Sequence, residues 1–110
     1  MKDGIYHVNF SSNMQSMGDG VAVFKGQSVN GGDAGYTYSG HLDGNDHGFA
    51  STLSIKRWND FSESVFGALD EFRLQFTGKF DDFGFDAEGY IVGQPQARIT
   101  VRGRFLAPVA

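Results

Sequence analysis

Between Glu71 and Phe80 the chain keeps a strict period of two. Phe72, Leu74, Phe76, Gly78 and Phe80 fall on one side, and Arg73, Gln75, Thr77 and Lys79 on the other. Successive side chains of an extended strand point to opposite faces, so this pattern predicts a strand with one dry face and one wet face. A helix would scatter the same rings around its whole circumference. The rhythm recurs along the chain. Tyr6, Val8 and Phe10 alternate with Ile5, His7 and Asn9, and Tyr36, Tyr38, Gly40 and Leu42 alternate with Thr37, Ser39 and His41. Phe49, Ser51, Leu53 and Ile55 alternate with Ala50, Thr52, Ser54 and Lys56. Ile99, Val101, Gly103 and Phe105 oppose Arg98, Thr100, Arg102 and Arg104. Val21–Lys25, set between Gly20 and Gly26, reads as a short buried strand. One-sided burial of this kind is the mark of antiparallel sheet.

Turn-forming residues punctuate these runs. Met17–Gly20, Asn30–Asp33, Asp43–Asp46 and Asp81–Gly84 are rich in Gly, Asn and Asp, and each is expected to be a hairpin turn. The chain has 16 glycines in 110 residues, and Gly40, Gly78, Gly89 and Gly103 sit at inward strand positions. Glycine there marks bends, bulges or close approach, which a small curled sheet requires. The expected fold is therefore all-β: one domain over residues 1–110, a small antiparallel eight-stranded barrel. Residues 59–67 allow at most one short helical turn, with Asp60 as cap and Glu63 three residues on. Phe61, Val65 and Phe66 would then fold over a barrel mouth.

Eleven Phe and four Tyr make rings the main filling of the core. Alternation assigns Tyr6, Val8, Phe10, Tyr36, Tyr38, Leu53, Phe72, Leu74, Phe76, Ile99, Val101 and Phe105 to the interior. A barrel of this size either fills with side chains or holds one small ligand, and both remain open at this level.

The residues offer no apparatus for catalysis and imply no cofactor. Cysteine is absent, which removes disulfides, thiolate metal sites and Cys nucleophiles. His7 and His41 fall on outward strand positions and His47 in a loop, without the converging ligands that zinc requires. Counted from Asp43, a calcium loop would want Gly48 sixth and a glutamate at the position Ser54 occupies, so the bidentate ligand is missing. Gly18-Asp19-Gly20 and Gly31-Gly32-Asp33-Ala34-Gly35 lack the following helix or Lys-Ser/Thr of a phosphate loop. No carboxylate occupies an inward strand position, as a glycosidase pair would need. The net charge of −4 argues against nucleic acid, although Arg98, Arg102 and Arg104, with Arg73 and Lys79, form a candidate basic stripe. Pairing with acids across strands is the simpler expectation for it. Without a signal-peptide or membrane-spanning stretch, the expectation is a soluble cytoplasmic protein that contacts no membrane.

Several short motifs appear in a recognisable order: Met1-Lys2-Asp3-Gly4-Ile5-Tyr6, Gly18-Asp19-Gly20 before an apolar strand, and Asn30-Gly31-Gly32-Asp33 followed by Tyr38-Ser39-Gly40. Arg57-Trp58 comes after the fourth alternating run, and Arg104-Phe105-Leu106-Ala107-Pro108 closes the chain. In this arrangement the sequence resembles the GrlR family of negative regulators of type III secretion. The resemblance implies a lipocalin-like barrel with an apolar interior, a homodimer, and restraint of a helix-turn-helix transcriptional activator through an acidic loop. The matching loop is Leu42–His47, where Asp43 and Asp46 keep the charge while Gly44 and Asn45 interrupt it. Thinning a like-charged patch weakens its pull on a basic partner. Two functions are therefore carried forward: a non-enzymatic regulatory, protein-binding barrel contacting its partner through Asp43, Asn45 and Asp46, or a carrier of a small apolar, lipid-like ligand.

Overall fold

The computed structural model describes residues 2–45 and 47–110. Its strands are β1 (Gly4–Ser12), β2 (Met17–Lys25), β3 (Ser28–Gly32), β4 (Tyr36–Gly44), β5 (Gly48–Arg57), β6 (Glu71–Phe80), β7 (Gly84–Ile91) and β8 (Gln94–Ala107). Each pairs antiparallel with the next, and β8 returns to β1, so the meander closes into a barrel. Closure removes the terminal edge strands on which sheets aggregate.

Register follows the alternation. Phe72, Leu74 and Phe76 of β6 lie opposite Ile55, Leu53 and Ser51 of β5. Tyr6 and Phe10 of β1 lie opposite Phe105 and Val101 of β8. A slip of one residue would turn every one of these side chains into water, which is why a one-sided apolar pattern pins register so firmly.

The inward glycines have a specific partner. A Cβ on Gly103 would sit 2.1 Å from the ring of Phe85, its cross-strand neighbour. Gly78 is covered in the same way by Phe49, Gly89 by Phe76 and Gly18 by Phe10, each from the residue directly opposite. The missing side chain on one strand is the space that the ring on the next strand occupies. This lets bulky rings fit inside a narrow, strongly curved sheet.

These rings fill one end of the barrel. Tyr6 is 1% exposed and packs edge-on against Phe24 and Phe105, with centroids 5.1 and 5.5 Å away. Phe85 meets Phe24 at 5.5 Å and Phe49 at 5.7 Å, while Phe49 stacks on Phe80 at 4.9 Å. Such pairs contribute about 0.5–1.5 kcal/mol each beyond the area they bury. Lys2 caps the outside, its ammonium 3.8 Å from the centre of the Phe105 ring. This is the closed end, and the β2–β3, β4–β5 and β6–β7 connections lie there.

Two expectations need correction. Met17–Gly20 and most of Asn30–Asp33 are strand, in β2 and β3, rather than turn. Their glycines relieve crowding: a Cβ on Gly31 would lie 2.1 Å from the Val21 carbonyl oxygen of the adjacent strand. The β1–β2 reversal comes earlier, where Ser12 N–H donates to the Ser16 carbonyl and Gln15 takes φ +61°. Second, residues 59–67 form two successive turns, within the allowance of at most one helical turn, but their capping residue and the place of Phe61 differ. Asn59, not Asp60, shapes the first through its side-chain oxygen on Phe61 N–H, and Ser64 and Gly67 exchange two backbone hydrogen bonds in the second. Val65 and Phe66 are buried as expected, but Phe61 is 98% exposed. The candidate basic stripe is broken by cross-strand pairing with an acid, as expected. Strand β7 runs between β6 and β8, setting Asp86 opposite both Lys79 and Arg102. Arg102 binds Asp86 with Nε 3.0 Å and a terminal nitrogen 3.4 Å from its carboxylate oxygens.

Candidate functional site

The other end of the barrel is open. Residues 13–16, 33–35 and 58–70 and the β7–β8 turn lie there. A cavity of about 330 Å³ runs inward from it. Its wall is built by Val8, Phe10, Tyr36, Tyr38, Leu53, Phe72, Leu74, Phe76, Ile99 and Val101 among others. All ten belong to the interior set read from alternation. The remaining two, Tyr6 and Phe105, sit instead in the ring cluster that closes the far end. Alternation tells inward from outward, and position along the strand decides whether an inward ring lines a space or plugs it.

The opening arises from unequal strand lengths. Residues Met17–Gly20 of β2 pair with β1, but β3 reaches back only to Val21, which faces Gly32. One side of the wall is therefore missing at this level. Residues 16–19, 33–35 and 62–66 border the gap. The long 58–70 connection lies across it and is tied down at several points. Buried Ser12 donates from Oγ to the Val65 carbonyl at 2.6 Å, and the Tyr36 hydroxyl donates to the Leu69 carbonyl at 2.5 Å. The Arg57 guanidinium donates to the Ser62 carbonyl at 3.2 Å and pairs with Asp70.

Asp33 organises the rim. Its Oδ1 accepts from Gly35 and Tyr36 N–H, both at 2.8 Å, and its Oδ2 accepts from the Tyr38 hydroxyl. Burial, then the hydrogen bond to Asp33 and the negative charges of Asp33 and Asp19, push the Tyr38 phenol far above its ordinary range. Trp58 donates from its indole to the Asp33 carbonyl at 3.2 Å. The side chains of Asp33, Tyr38, Arg57 and Trp58, all quoted above for the family resemblance, thus hold the open end together.

At the closed end, the candidate loop is a tight turn. Asn45 Oδ1 accepts from His47 and Gly48 N–H at 2.8 and 3.2 Å, so its side chain shapes the turn. Asp43 is exposed at the end of β4, and Asp46 lies outside the described residues. The neighbouring β6–β7 turn is of the same kind, with Asp81 Oδ1 accepting from Phe83 and Gly84 N–H at 2.8 Å. Asp82 is exposed, and Phe83 is 75% exposed. The stacked rings of Phe49 and Phe80 hold these two hairpins side by side. The sequence marks Asp81 and Asp82 only as turn residues, because nothing in a linear order shows that their hairpin lies next to the β4–β5 turn.

Among the described residues no group of three or more His, Asp or Glu is placed to hold a metal ion. His7 instead meets Asp19 across the β1–β2 pair at 2.8 Å. A family model described as "T3SS negative regulator, GrlR" matches residues 1–109. The chain belongs to the GrlR family. No curated protein matches it. Membership of a family described as a negative regulator supports a regulatory role.

Proposed function

We propose that this GrlR-family barrel regulates by binding rather than by catalysis, restraining a helix-turn-helix transcriptional activator at its closed end. Family membership over residues 1–109 supports the regulatory role. The observation that supports the surface is the side-by-side placement of the β4–β5 and β6–β7 turns. Asp43 on one and Asp81 and Asp82 on the other rebuild a negative patch that the Leu42–His47 loop alone has thinned. Exposed Phe83, on the same turn as Asp81 and Asp82, gives that patch an apolar neighbour of the kind that anchors protein interfaces. Clustered charge of one sign steers a basic partner and raises its association rate, with a strong dependence on salt.

Co-expression with the helix-turn-helix activator of a type III secretion gene cluster tests this reading. A tag on the barrel should recover the activator at low salt and progressively less as ionic strength rises. The double variant Asp43→Lys/Asp82→Lys changes side chains exposed at the hairpin ends. It should keep the wild-type melting temperature and lose the activator. Retention of the activator by this variant, or no recovery by the wild type, refutes the assignment.

A further inference from the structure

The open end has a chemistry of its own, and it does not depend on the reading of the closed end. The cavity wall is almost wholly apolar, yet its mouth carries Asp33 and Glu63 together with the hydroxyls of Ser16, Ser62 and Tyr38, while Asp19 beside it is paired with His7. No Lys or Arg is among the residues that line the cavity, and Arg57, behind the mouth, is already engaged by the Ser62 carbonyl and by Asp70. Barrels that hold fatty-acid anions need a cation or a set of donors for the carboxylate, because a buried unpaired charge is heavily penalised. Here the ionisable groups at the mouth are acids, so a second carboxylate would meet repulsion from each.

We infer that this cavity binds a single-chain amphiphile whose head donates hydrogen bonds, a protonated amine first and an alcohol second, and that it rejects the corresponding carboxylate. Volume sets the size of the apolar part. The cavity measures about 330 Å³, and a buried apolar space of about 150 Å³ accommodates benzene, so the ligand has roughly a dozen non-hydrogen atoms. The chain lies against Phe72, Leu74, Phe76, Ile99 and Val101, and the head stays at the rim near Asp33 and Glu63. Asp33 already accepts three hydrogen bonds from protein groups. The exposed Glu63 carboxylate is the freer of the two to meet an incoming ammonium. Met17 and Phe61, 81% and 98% exposed beside the mouth, give the apolar chain a surface to land on before it enters.

Three probes of equal chain length decide the matter: decylamine, decanol and decanoate, each below its micelle concentration, competing with Nile red bound to the purified barrel. Decylamine and decanol should displace the dye at low salt, and decanoate should need at least about tenfold more. The gap between amine and acid should narrow as salt screens the rim charges. Glu63→Lys leaves the fold intact, because the residue is exposed in a loop, and should weaken decylamine while strengthening decanoate. Val101→Phe, which fills the cavity, should abolish displacement by all three. If that variant melts early, Leu53→Phe offers a second way to fill the same space. Decanoate binding as tightly as decylamine overturns the inference. So does the failure of all three probes to displace the dye, or dye binding unchanged in a folded cavity-filled variant, which would place the dye on the outer surface or between two copies of the chain.

Discussion

Replacing Gly103 with alanine tests the central packing device of this barrel. A Cβ at that position would lie 2.1, 2.4 and 2.7 Å from three carbons of the Phe85 ring. Carbon atoms in contact sit about 3.5–4.0 Å apart, so the ring must retreat by more than 1 Å or the strands must part. Neither is easy. Phe85 is buried against Tyr6, Phe24 and Phe49, with ring centroids 5.9, 5.5 and 5.7 Å away, and Gly103 itself pairs with Val8 of β1. Overpacking of a closed core costs about 1–3 kcal/mol, and with no free direction the cost should fall in the upper part, about 2–3 kcal/mol. For a domain of this length that lowers the melting temperature by roughly 10 °C. Urea unfolding followed by far-ultraviolet circular dichroism measures it. A double-mutant cycle with Phe85→Leu sharpens the test, because the smaller side chain removes the clash. The two changes together should cost at least about 1 kcal/mol less than their sum. Gly93→Ala is a useful contrast: its φ of +89° penalises any Cβ, but nothing lies within 4 Å, so it should show no coupling to Phe85. A Gly103→Ala variant within about 0.5 kcal/mol of wild type, or strict additivity with Phe85→Leu, refutes the account of paired glycine and ring.

The buried phenols and the contacts of the open end give three further expectations. The phenols of Tyr6 and Tyr38 are both held above the ordinary value of 10.0, chiefly by burial, and bind their protons more tightly in the folded chain than in the unfolded one. Their stabilisation is therefore complete below about pH 10 and is lost as pH rises above it. Urea midpoints measured from neutral pH upward should fall in that range, and Tyr38→Phe should flatten the slope. Ser12→Ala removes the donor to the Val65 carbonyl and the acceptor of Met14 N–H, which should cost about 1–2 kcal/mol. Amide exchange should accelerate in residues 58–70 ahead of β6. Phe66→Ala should cost about 3–5 kcal/mol, while Phe61→Ser should stay within about 0.5 kcal/mol, read from the same unfolding curves.

Sequence alone determined which side chains face inward. The two-residue period is a property of extended backbone, so Phe72, Leu74 and Phe76 are inward in any register that buries them, and all-β architecture follows. Turn chemistry was less dependable. Glycine serves both reversal and crowding, and the local sequence around Gly18, Gly20 and Gly31 does not distinguish a turn from a strand that must admit a neighbour's ring or backbone. Strands β3 and β7 left little apolar alternation because their inward positions include Gly31, Ala87 and Gly89. Tertiary structure decided everything that depends on how the strands pair and the sheet curls. Pairing of β5 with β6 sets the β4–β5 and β6–β7 turns next to each other, pairing of β7 with both β6 and β8 puts it between two basic strands, and the curled sheet brings Asp33, Tyr38 and Glu63 to one mouth. Whether Tyr6 plugs the barrel while Phe10 lines its cavity is likewise a matter of height along the barrel axis. That coordinate is fixed by strand length and stagger between partners far apart in sequence, and a local pattern of period two carries no record of it.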